Sequence, residues 1–349
     1  MRATYLADHG LSAPIRTEIT KETLLCTPGG RLHPGAVGWS RHPQHRCNLS
    51  GRFGRKKRWD YWCIMGPKFL LSATVAHVDY LSLGGIYLLE YTSGRFAAQA
   101  LSRPFSNASV LSDSVGGTQR FESKPLDLHF EAVGESVRIR ARSTNLAGRP
   151  FQADLTVYRP RNHETLNVVI PWDDRTFQFT SKQHALPTEG AMRWGDERLD
   201  FGREDSWGVL DFGRGIWPYS TSWNWAAFSG RSGGDVVGIN MGAKWTDGTG
   251  ANENGIFLNG RMHKLFEDVA FEYDTGDFMK PWRMRSCETD ALNLEFTPFY
   301  DRHDAANLGI LRTEVHQCFG HYAGMLRVDG REIAVREVPG WAEEHFARW

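Results

Sequence analysis

Two aromatic segments, about half the chain apart, hold the side chains best suited to chemistry. The first, residues 54–62, reads Gly-Arg-Lys-Lys-Arg-Trp-Asp-Tyr-Trp, and the second begins at Gly213 and leads into Trp223-Asn224-Trp225. Two similar β units are the simplest interpretation. Asp60 and Asn224 lie at the centres of the two aromatic segments, so one unit offers a carboxyl group where the other offers an amide.

Asp60 lies among Trp59, Tyr61 and Trp62. Protonation of an alkene, epoxide or polyene requires a carboxylic acid held neutral in an apolar pocket, with aromatic faces that stabilise the developing cation. In a strand, however, Asp60 shares its face with Arg58 rather than with Trp59 and Tyr61. The sequence leaves two roles open for Asp60: a catalytic acid, or one partner of a structural salt bridge beneath a basic loop.

A polar group near the N-terminus offers a second candidate binding site. Within ten residues the chain carries an aromatic ring, a guanidinium, imidazoles and an amide, a set that can bind a carboxylate or orient a carbonyl. The alternative is that these side chains fasten an N-terminal arm onto the sheet. The predicted substrate-binding residues here are Trp39, Arg41, His45 and Asn48.

The remaining polar candidates lie in the second half of the chain. Asn252 and Asn254 follow a Gly-rich bend, where they either satisfy backbone groups in a turn or line the mouth of a barrel. His316 and His345 are candidate bases or proton relays. His345 belongs to Glu343-Glu344-His345, a charged stretch of the kind that is usually solvated.

Composition limits the partners. The 349 residues carry 41 basic and 41 acidic side chains, so the chain has no net charge that would attract nucleic acid or an anionic membrane. It has no run of about eighteen apolar residues and no apolar signal segment at its start, which predicts a soluble protein without integral membrane association. The expected partner is an apolar or aromatic small molecule, and the oligomeric state stays open.

The sequence predicts no cofactor and no metal site. It lacks a phosphate-binding loop, a dinucleotide fingerprint and a nucleophile elbow. His42 and His45 are three residues apart, but no thiolate or carboxylate nearby completes a recognisable metal motif. The five cysteines are odd in number and scattered, which argues against a disulfide framework and favours a reducing cytoplasm.

Short alternating segments predict an all-β fold with little helix. Aromatic side chains, 36 glycines and 15 prolines favour short strands. Alternation is clearest in residues 126–132, and turn signals at Gly134 and Asp329 predict antiparallel hairpins. The tail after Pro339 fits either a helix or a final strand. We expect two tandem antiparallel β domains of barrel or sandwich type: an arm at residues 1–37, a first domain at 38–180 and a second, lipocalin-like barrel at 181–349.

Several motifs resemble an uncharacterised bacterial family, domain of unknown function 2804. The family implies no activity that can be carried over to this chain. The motifs that carry the resemblance are Gly38-Trp39-Ser40-Arg41, residues 45–49, residues 56–63, Asn252-Glu253-Asn254-Gly255, residues 315–320 and residues 340–345.

A fainter similarity links the aromatic strands and the Gly-rich C-terminal hairpin to calycin-type proteins, which include tocopherol cyclases, carotenoid hydratases and lipocalin-like pericyclases. This resemblance implies two β domains that enclose an apolar ligand, with acid groups that promote cyclisation or hydration. The hydratase strand resembles Trp-Asp-Trp, whereas this chain has an amide at the central position. The predicted ligand-contacting residues in these strands are Trp62, Trp223, Asn224 and Trp225.

Three functions follow from these observations. The first is a cofactor-independent lyase or isomerase, of hydratase, dehydratase or cyclase type, that acts on an apolar small molecule by acid catalysis. Its candidate catalytic residues are Asp60, His316 and His345. The second is a non-catalytic binding protein for a lipid or an aromatic metabolite. The third is a carbohydrate-active β-sandwich, for which the sequence offers no clear carboxylate pair.

Overall fold

The computed structural model describes residues 2–5, 13–307, 309 and 311–348. Strands make up 64% of the described residues, which contain no α-helix, only the 3₁₀ turn Pro34–Ala36. In chain order the strands are β1 (Arg2–Tyr5), β2 (Thr23–Leu24), β3 (Trp39–Ser40), β4 (His45–Arg46), β5 (Lys56–Met65), β6 (Phe69–His77), β7 (Leu81–Glu90), β8 (Phe96–Pro104), β9 (Ser109–Val110), β10 (Gln119–Ser123), β11 (Leu126–Val133), β12 (Ser136–Leu146), β13 (Arg149–Tyr158), β14 (Leu166–Pro171), β15 (Phe177–Trp194), β16 (Glu197–Phe201), β17 (Trp207–Ile216), β18 (Ser220–Ser232), β19 (Asp235–Ala243), β20 (Gly255–Leu258), β21 (Arg261–Lys264), β22 (Val269–Asp274), β23 (Trp282–Ser286), β24 (Leu292–Asn307), β25 (Arg312–Val328) and β26 (Arg331–Arg348).

The first sheet has fourteen strands and curls around its own core. Its path is β8-β7-β6-β5-β17-β15-β13-β12-β11-β10-β9, with β14 and β16 paired to β15 and β3 paired to β14. Because side chains alternate along a strand, every second residue points into the hollow of the curled sheet. The buried core there includes Trp62, Phe121, Leu128, Phe179 and Phe212.

The second sheet has ten strands in the order β1-β22-β23-β24-β25-β26-β18-β19-β20-β21, and its strands pair antiparallel. It also curls around a core of its own, which includes Phe228, Tyr273, Trp282, Phe296 and Tyr322. A small parallel pair, β2 with β4, lies apart from both sheets.

The two sheets meet through their outward-facing side chains. We call this region the inter-sheet layer; it consists of two mixed clusters that draw residues from both sheets. One cluster contains Cys63, Tyr87 and Val209 of the first sheet with Trp225, Phe319 and Trp341 of the second; the other contains Trp39, Ile170 and Trp217 with Trp245, Phe257 and Met262.

The all-β class and the antiparallel pairing are confirmed. Both predicted hairpins form, since Val133 pairs with Ser136 and Val328 pairs with Arg331. The tail is a strand rather than a helix, because β26 lies between β25 and β18 and hydrogen-bonds to both. The division expected at residues 180 and 181 falls inside β15, and the chain passes from the first sheet to the second between β17 and β18. The division into domains stays a prediction.

All five cysteines lie among the described residues, and none of them forms a disulfide. No helix of the described segments has the length and hydropathy needed to cross a membrane. The cytoplasmic location stays a prediction.

Candidate active site

A face of three neighbouring strands brings acid, amide and indole groups into the inter-sheet layer. Trp341 and Glu343 lie two residues apart on β26, so their side chains share one face of the strand. This face points away from the core of the second sheet. On the neighbouring strands, Trp223 of β18 pairs with His345, and Gln317 of β25 pairs directly with Glu343. Antiparallel register therefore places these side chains side by side.

Glu343 is held by neutral donors. Its side chain is buried, the indole N–H of Trp223 donates to Oε1 at 2.8 Å, and the amide of Gln317 donates to Oε2 at 3.0 Å. Burial raises the pKa of Glu343 to about 7, although the Trp223 hydrogen bond and the charges of Arg302 and Lys182 act to lower it. At neutral pH the carboxyl group therefore divides between its acid and carboxylate forms.

A chain of hydrogen bonds connects Glu343 to the first sheet. Tyr87 of β7 donates its hydroxyl to Oε1 of Gln317 at 2.8 Å, and the hydroxyl of Tyr61 of β5 lies 2.7 Å from that of Tyr87. Burial raises the pKa of both phenols above their ordinary value, so both stay protonated. The guanidinium of Arg302 stacks over the ring of Tyr87 at 4.7 Å and donates to Gln317 at 3.3 Å. The two sheets thus share one polar chain that ends at a carboxyl group.

A second polar group joins the sheets beside this chain. Lys182 of β15 lies 2.9 Å from the carboxylate of Asp211 on β17 and 3.0 Å from that of Glu253, in the segment between β19 and β20. Burial acts to lower the pKa of Lys182, but these two carboxylates raise it overall. The ammonium also lies 4.5 Å from the ring centroid of Trp225, a distance at which it makes a cation–π interaction.

Several side chains of the inter-sheet layer are only half-buried although they lie on central strands. Tyr61, Trp223 and His345 all retain solvent-accessible surface. The buried polar atoms without a hydrogen-bond partner in the described part of the chain include the indole N–H of Trp341 and the hydroxyl of Tyr91, both in this layer. Buried polar groups normally have partners. Accessible aromatic faces, together with the unused indole donor of Trp341 two residues from Glu343, are features of a ligand site.

Asp60, the first predicted acid, points into the core of the first sheet, away from the inter-sheet layer. One carboxylate oxygen accepts from the guanidinium of Arg214 at 2.7 Å, and Arg214 is fully buried. Burial raises the pKa of Asp60 to about 6, against the effect of Arg214. Arg58 lies on the same strand face, as alternation predicts, but the hydrogen bond is made by Arg214 of the neighbouring β17. Trp62 lies on this inner face as well, within the first core.

The inner face of the second sheet carries a separate polar group. The amide of Asn224 donates to the hydroxyl of Tyr273 at 3.1 Å, and Tyr273 in turn bonds to the carboxylate of Glu344. Asn224 pairs with Glu344 in the register of β18 and β26, so a carboxylate stands on the strand beside the amide. Lys244 lies 3.0 Å from that carboxylate.

The two candidate histidines lie on opposite faces of the second sheet. His316 points to the inner face, where Nδ1 lies 2.8 Å from a carboxylate oxygen of Asp301. His345 points to the inter-sheet layer, its ring 4.0 Å from that of Trp223 and its Nε2 2.8 Å from the hydroxyl of Thr313. Burial and the charge of Arg302 lower the pKa of His345 to about 3, so its imidazole is neutral.

The predicted N-terminal binding residues contact the N-terminal segment. Asn48 exchanges two hydrogen bonds with the backbone of Cys26, at 2.8 and 2.9 Å. His45 bonds to the carbonyl of Ala36 at 2.8 Å, and the indole of Trp39 donates to the carbonyl of Arg16 at 3.2 Å. These contacts are those expected of residues that anchor the arm, and their role in binding stays a prediction.

Arg41 differs from its neighbours because it lines a cavity of about 530 Å³. It forms ion pairs with Glu164 at 3.1 Å and with Glu18 at 3.4 Å. A second cavity, of about 380 Å³, is lined by residues that include His163 and Trp207. Neither cavity touches Glu343.

Asn252 and Asn254 hold the segment between β19 and β20 in place. Their amides donate to the carbonyl of Glu267 at 2.9 and 3.1 Å, and Oδ1 of Asn254 accepts the backbone N–H of Gly242 at 2.8 Å. Their position fixes Glu253, which lies between them in the sequence and forms the ion pair with Lys182.

The comparisons with known proteins agree with this architecture. The model of a family described as a domain of unknown function, DUF2804, matches residues 16–349. The chain belongs to the DUF2804 family. The family resemblance seen in the sequence motifs is therefore confirmed. No curated protein sequence matches the chain.

Solved structures similar to this DUF2804 protein include CghA in complex with Sch210972, with a TM-score of 0.53 at 12% identity over 99% of this chain and 98% of that one. Kievitone hydratase from Nectria haematococca has a TM-score of 0.49 at 11% identity, over 83% of this chain and 88% of its own. The likeness to CghA, at 12% identity, shows a shared fold, and the distant resemblance to β proteins of this kind is confirmed at the level of the fold.

The sequence motifs contained the central residues of the site without identifying them. Glu253 lies between the candidates Asn252 and Asn254, and Glu343 lies two residues before the candidate His345. Period-two alternation, applied to the tail as a strand, would have placed Trp341, Glu343 and His345 on one face. For Lys182 and Asp211 no local pattern existed, because sheet register alone brings them together.

Proposed function

We propose that this DUF2804 protein is an enzyme of lyase or isomerase type that transfers a proton to an apolar small molecule held between the two sheets, with Glu343 as the acid. The observation that carries the proposal is a buried carboxyl group with a pKa of about 7 in an aromatic layer. A general acid works best when its pKa is close to the working pH.

The hydrogen bonds around Glu343 support this role. Trp223 and Gln317 donate to its two oxygens, and neither indole nor amide N–H can accept a proton back. A proton on Glu343 therefore uses a remaining lone pair and is available to a third group. Trp223, Trp225 and Tyr61 surround this position with aromatic faces, which stabilise a cation formed by protonation.

The atoms balance in a simple scheme. Glu343 gives its proton to a carbon or oxygen of the substrate and becomes a carboxylate, and the substrate becomes a cation. Loss of a proton then neutralises the cation, either directly or after water or another group of the substrate has added to it, and that proton returns to the Glu343 carboxylate. The buried Lys182 group and Arg302 lie near enough to lower the pKa of Glu343, so they stabilise the carboxylate formed in the first step.

The fold is compatible with a bound ligand, since CghA has been crystallised with Sch210972. A carrier function uses the same inter-sheet layer without proton transfer, and it is the second candidate. The unused donor groups of Trp341 and Tyr91 fit either function.

The test separates the two candidates. The protein is purified from its own host, bound small molecules are released and identified, and the recovered compound is incubated with fresh protein in D₂O. An enzyme converts part of the compound into an isomer, adduct or elimination product that carries deuterium on carbon, whereas a carrier returns it unchanged. Wild-type protein that returns the compound unchanged and without carbon-bound deuterium contradicts the proposal.

Variants locate the acid. Glu343→Gln should abolish deuterium incorporation while the circular dichroism spectrum is retained. Glu332→Gln, an exposed position on the same strand β26, is the matched control and should keep wild-type turnover. If Glu343→Gln retains full turnover while Glu344→Gln loses it, the acid lies on the inner face of the second sheet and the assignment to Glu343 is wrong.

A further inference from the structure

Two histidines and a glutamate meet on the inner face of the second sheet, outside the proposed active site. His303 of β24 pairs directly with His316 of β25, and Glu314 precedes His316 by two residues. Alternation therefore puts all three side chains on one face. One ligand atom from each of the three lies within 4.8 Å of the others.

The two imidazole rings of His303 and His316 stack on each other. The rings are parallel, with centroids 4.1 Å apart and an interplanar angle of 7°, and the ring of His316 also stacks on Phe278 at 4.0 Å. Nδ1 of His316 lies 2.8 Å from a carboxylate oxygen of Asp301. Because a carboxylate only accepts, Nδ1 carries the hydrogen, so in the neutral imidazole Nε2 is the nitrogen with the lone pair that can bind a metal. A carboxylate that orients a histidine in this way is the usual outer partner of a metal ligand.

Glu314 is shared between two neighbours. Its Oε1 lies 3.7 Å from Nε2 of His303, and its Oε2 lies 2.9 Å from the guanidinium of Arg312. Arg312 holds the carboxylate in place through one oxygen and leaves the other directed at the histidine. Asp301 and Glu314 place two carboxylates beside the imidazoles, and this charge favours a cation.

We propose that His303, His316 and Glu314 bind one divalent cation of the zinc class, with Asp301 as the residue that positions His316. Imidazole nitrogen with a single carboxylate suits Zn²⁺, Co²⁺ or Ni²⁺, whereas Ca²⁺ and Mg²⁺ prefer oxygen ligands throughout. Three protein ligands leave a fourth coordination position for water or an anionic group. Motif spacing could not reveal this site, because only strand register brings position 303 opposite position 316.

The proposed cation site and the proposed active site are independent. His316 pairs with Glu344 in the register of β25 and β26, and it points to the inner face, whereas Glu343 points to the inter-sheet layer. A cation bound to these ligands would connect β24 to β25 and lie beside the polar group of Tyr273 and Glu344. Failure of either proposal leaves the other intact.

The test uses the full chain, freed of any affinity tag and treated with a chelator. Titration with Co²⁺, followed by visible absorption, and with Zn²⁺, followed by calorimetry, should each show one saturable site. His303→Ala and His316→Ala should each weaken binding by more than about 10-fold, and Asp301→Asn should weaken it by about 10- to 100-fold. Zn²⁺ should raise the melting temperature of the wild type and not that of His303→Ala.

His129→Ala is the matched control. His129 is a half-buried histidine whose Nε2 lies 3.3 Å from Asp127 and 3.7 Å from Glu122, so it also has carboxylate neighbours. This variant should bind Co²⁺ as the wild type does. Absence of saturable binding in the wild type, or equal binding by wild type and both histidine variants, overturns the proposal; the second result would direct attention to the thiols of Cys26 and Cys47.

Discussion

Asp60 and Glu343 are two buried carboxyl groups with similar pKa values and different surroundings. Burial raises the pKa of Asp60 to about 6 and that of Glu343 to about 7. Asp60 faces a fully buried guanidinium inside the core of the first sheet, whereas Glu343 faces neutral N–H donors and half-buried aromatic rings between the sheets. A raised pKa therefore does not by itself mark a catalytic acid. The neighbours decide whether the proton can reach a ligand.

The largest expected effect is on the Asp60 pair. Arg214→Met leaves the Asp60 carboxylate buried without a cation, and it also removes N–H donors from the carbonyls of Ser112 and Trp59. Loss of one partner of a buried ion pair costs about 3–5 kcal/mol in the free energy of unfolding. Urea denaturation of wild type and variant at pH 8 measures this loss.

The pH dependence of Arg214→Met follows from the sign of the Asp60 shift. The folded-state pKa of Asp60 is raised, so its contribution to stability falls as the pH rises from the ordinary aspartate range through about 6. Removal of Arg214 raises that pKa further, and the stability deficit should grow between pH 5 and pH 8. A deficit that is constant across this range would show that the lost backbone contacts, and not the carboxylate, dominate.

Glu343→Gln should change the pH dependence of the free energy of unfolding by less than Arg214→Met does, and in the opposite direction: the loss of stability at high pH becomes smaller. The pKa of Glu343 is about 7 in the folded protein and 4.5 in the reference state, so the folded protein binds this proton more tightly. The wild type therefore loses about 3 kcal/mol of stability from this group between pH 4.5 and pH 8, and the variant does not. Denaturation at pH 5 and pH 8 gives the change in the free energy of unfolding between the two pH values, which is compared between variant and wild type. Glu332→Gln is the control and should follow the wild type. Parallel pH profiles for Glu343→Gln and wild type would show that the pKa of Glu343 is not raised.

Trp223→Phe should have the smallest effect, on the pKa of Glu343 itself. The indole hydrogen bond stabilises the carboxylate, so its loss should raise this pKa by about one pKa unit. The C=O stretch of the protonated carboxyl group, assigned by its disappearance in Glu343→Gln, reports the titration in the infrared. Trp225→Phe is the matched control, because its indole donates to Asn240 and not to Glu343. Equal shifts in both variants would show that the lost aromatic packing is responsible.

Local patterns predicted most of the fold. Alternation in residues 126–132 and the hairpin turns at Gly134 and Asp329 correspond to observed strands and turns, because period-two burial and turn chemistry are encoded within a few residues. Composition predicts the strands between residues 159 and 194 less well. This stretch is rich in His, Pro, Asp and Gly, yet it contains β14 and the long strand β15, which bends at a bulge between Gln183 and Leu186.

Composition, alternation and motifs were sufficient to predict the all-β class, the family and the segments that carry polar residues. The sequence singled out Asp60 and placed Glu343 in a charged stretch typical of solvated surface, although each carboxyl group lies within two residues of a tryptophan. Strand register and sheet packing place Asp60 opposite a guanidinium in a core and Glu343 in the layer between the two sheets. Lys182, Asp211 and Glu253 come from distant parts of the chain, and His303 meets His316 across two strands. Such contacts arise from strand register and from sheet packing, which no local pattern specifies.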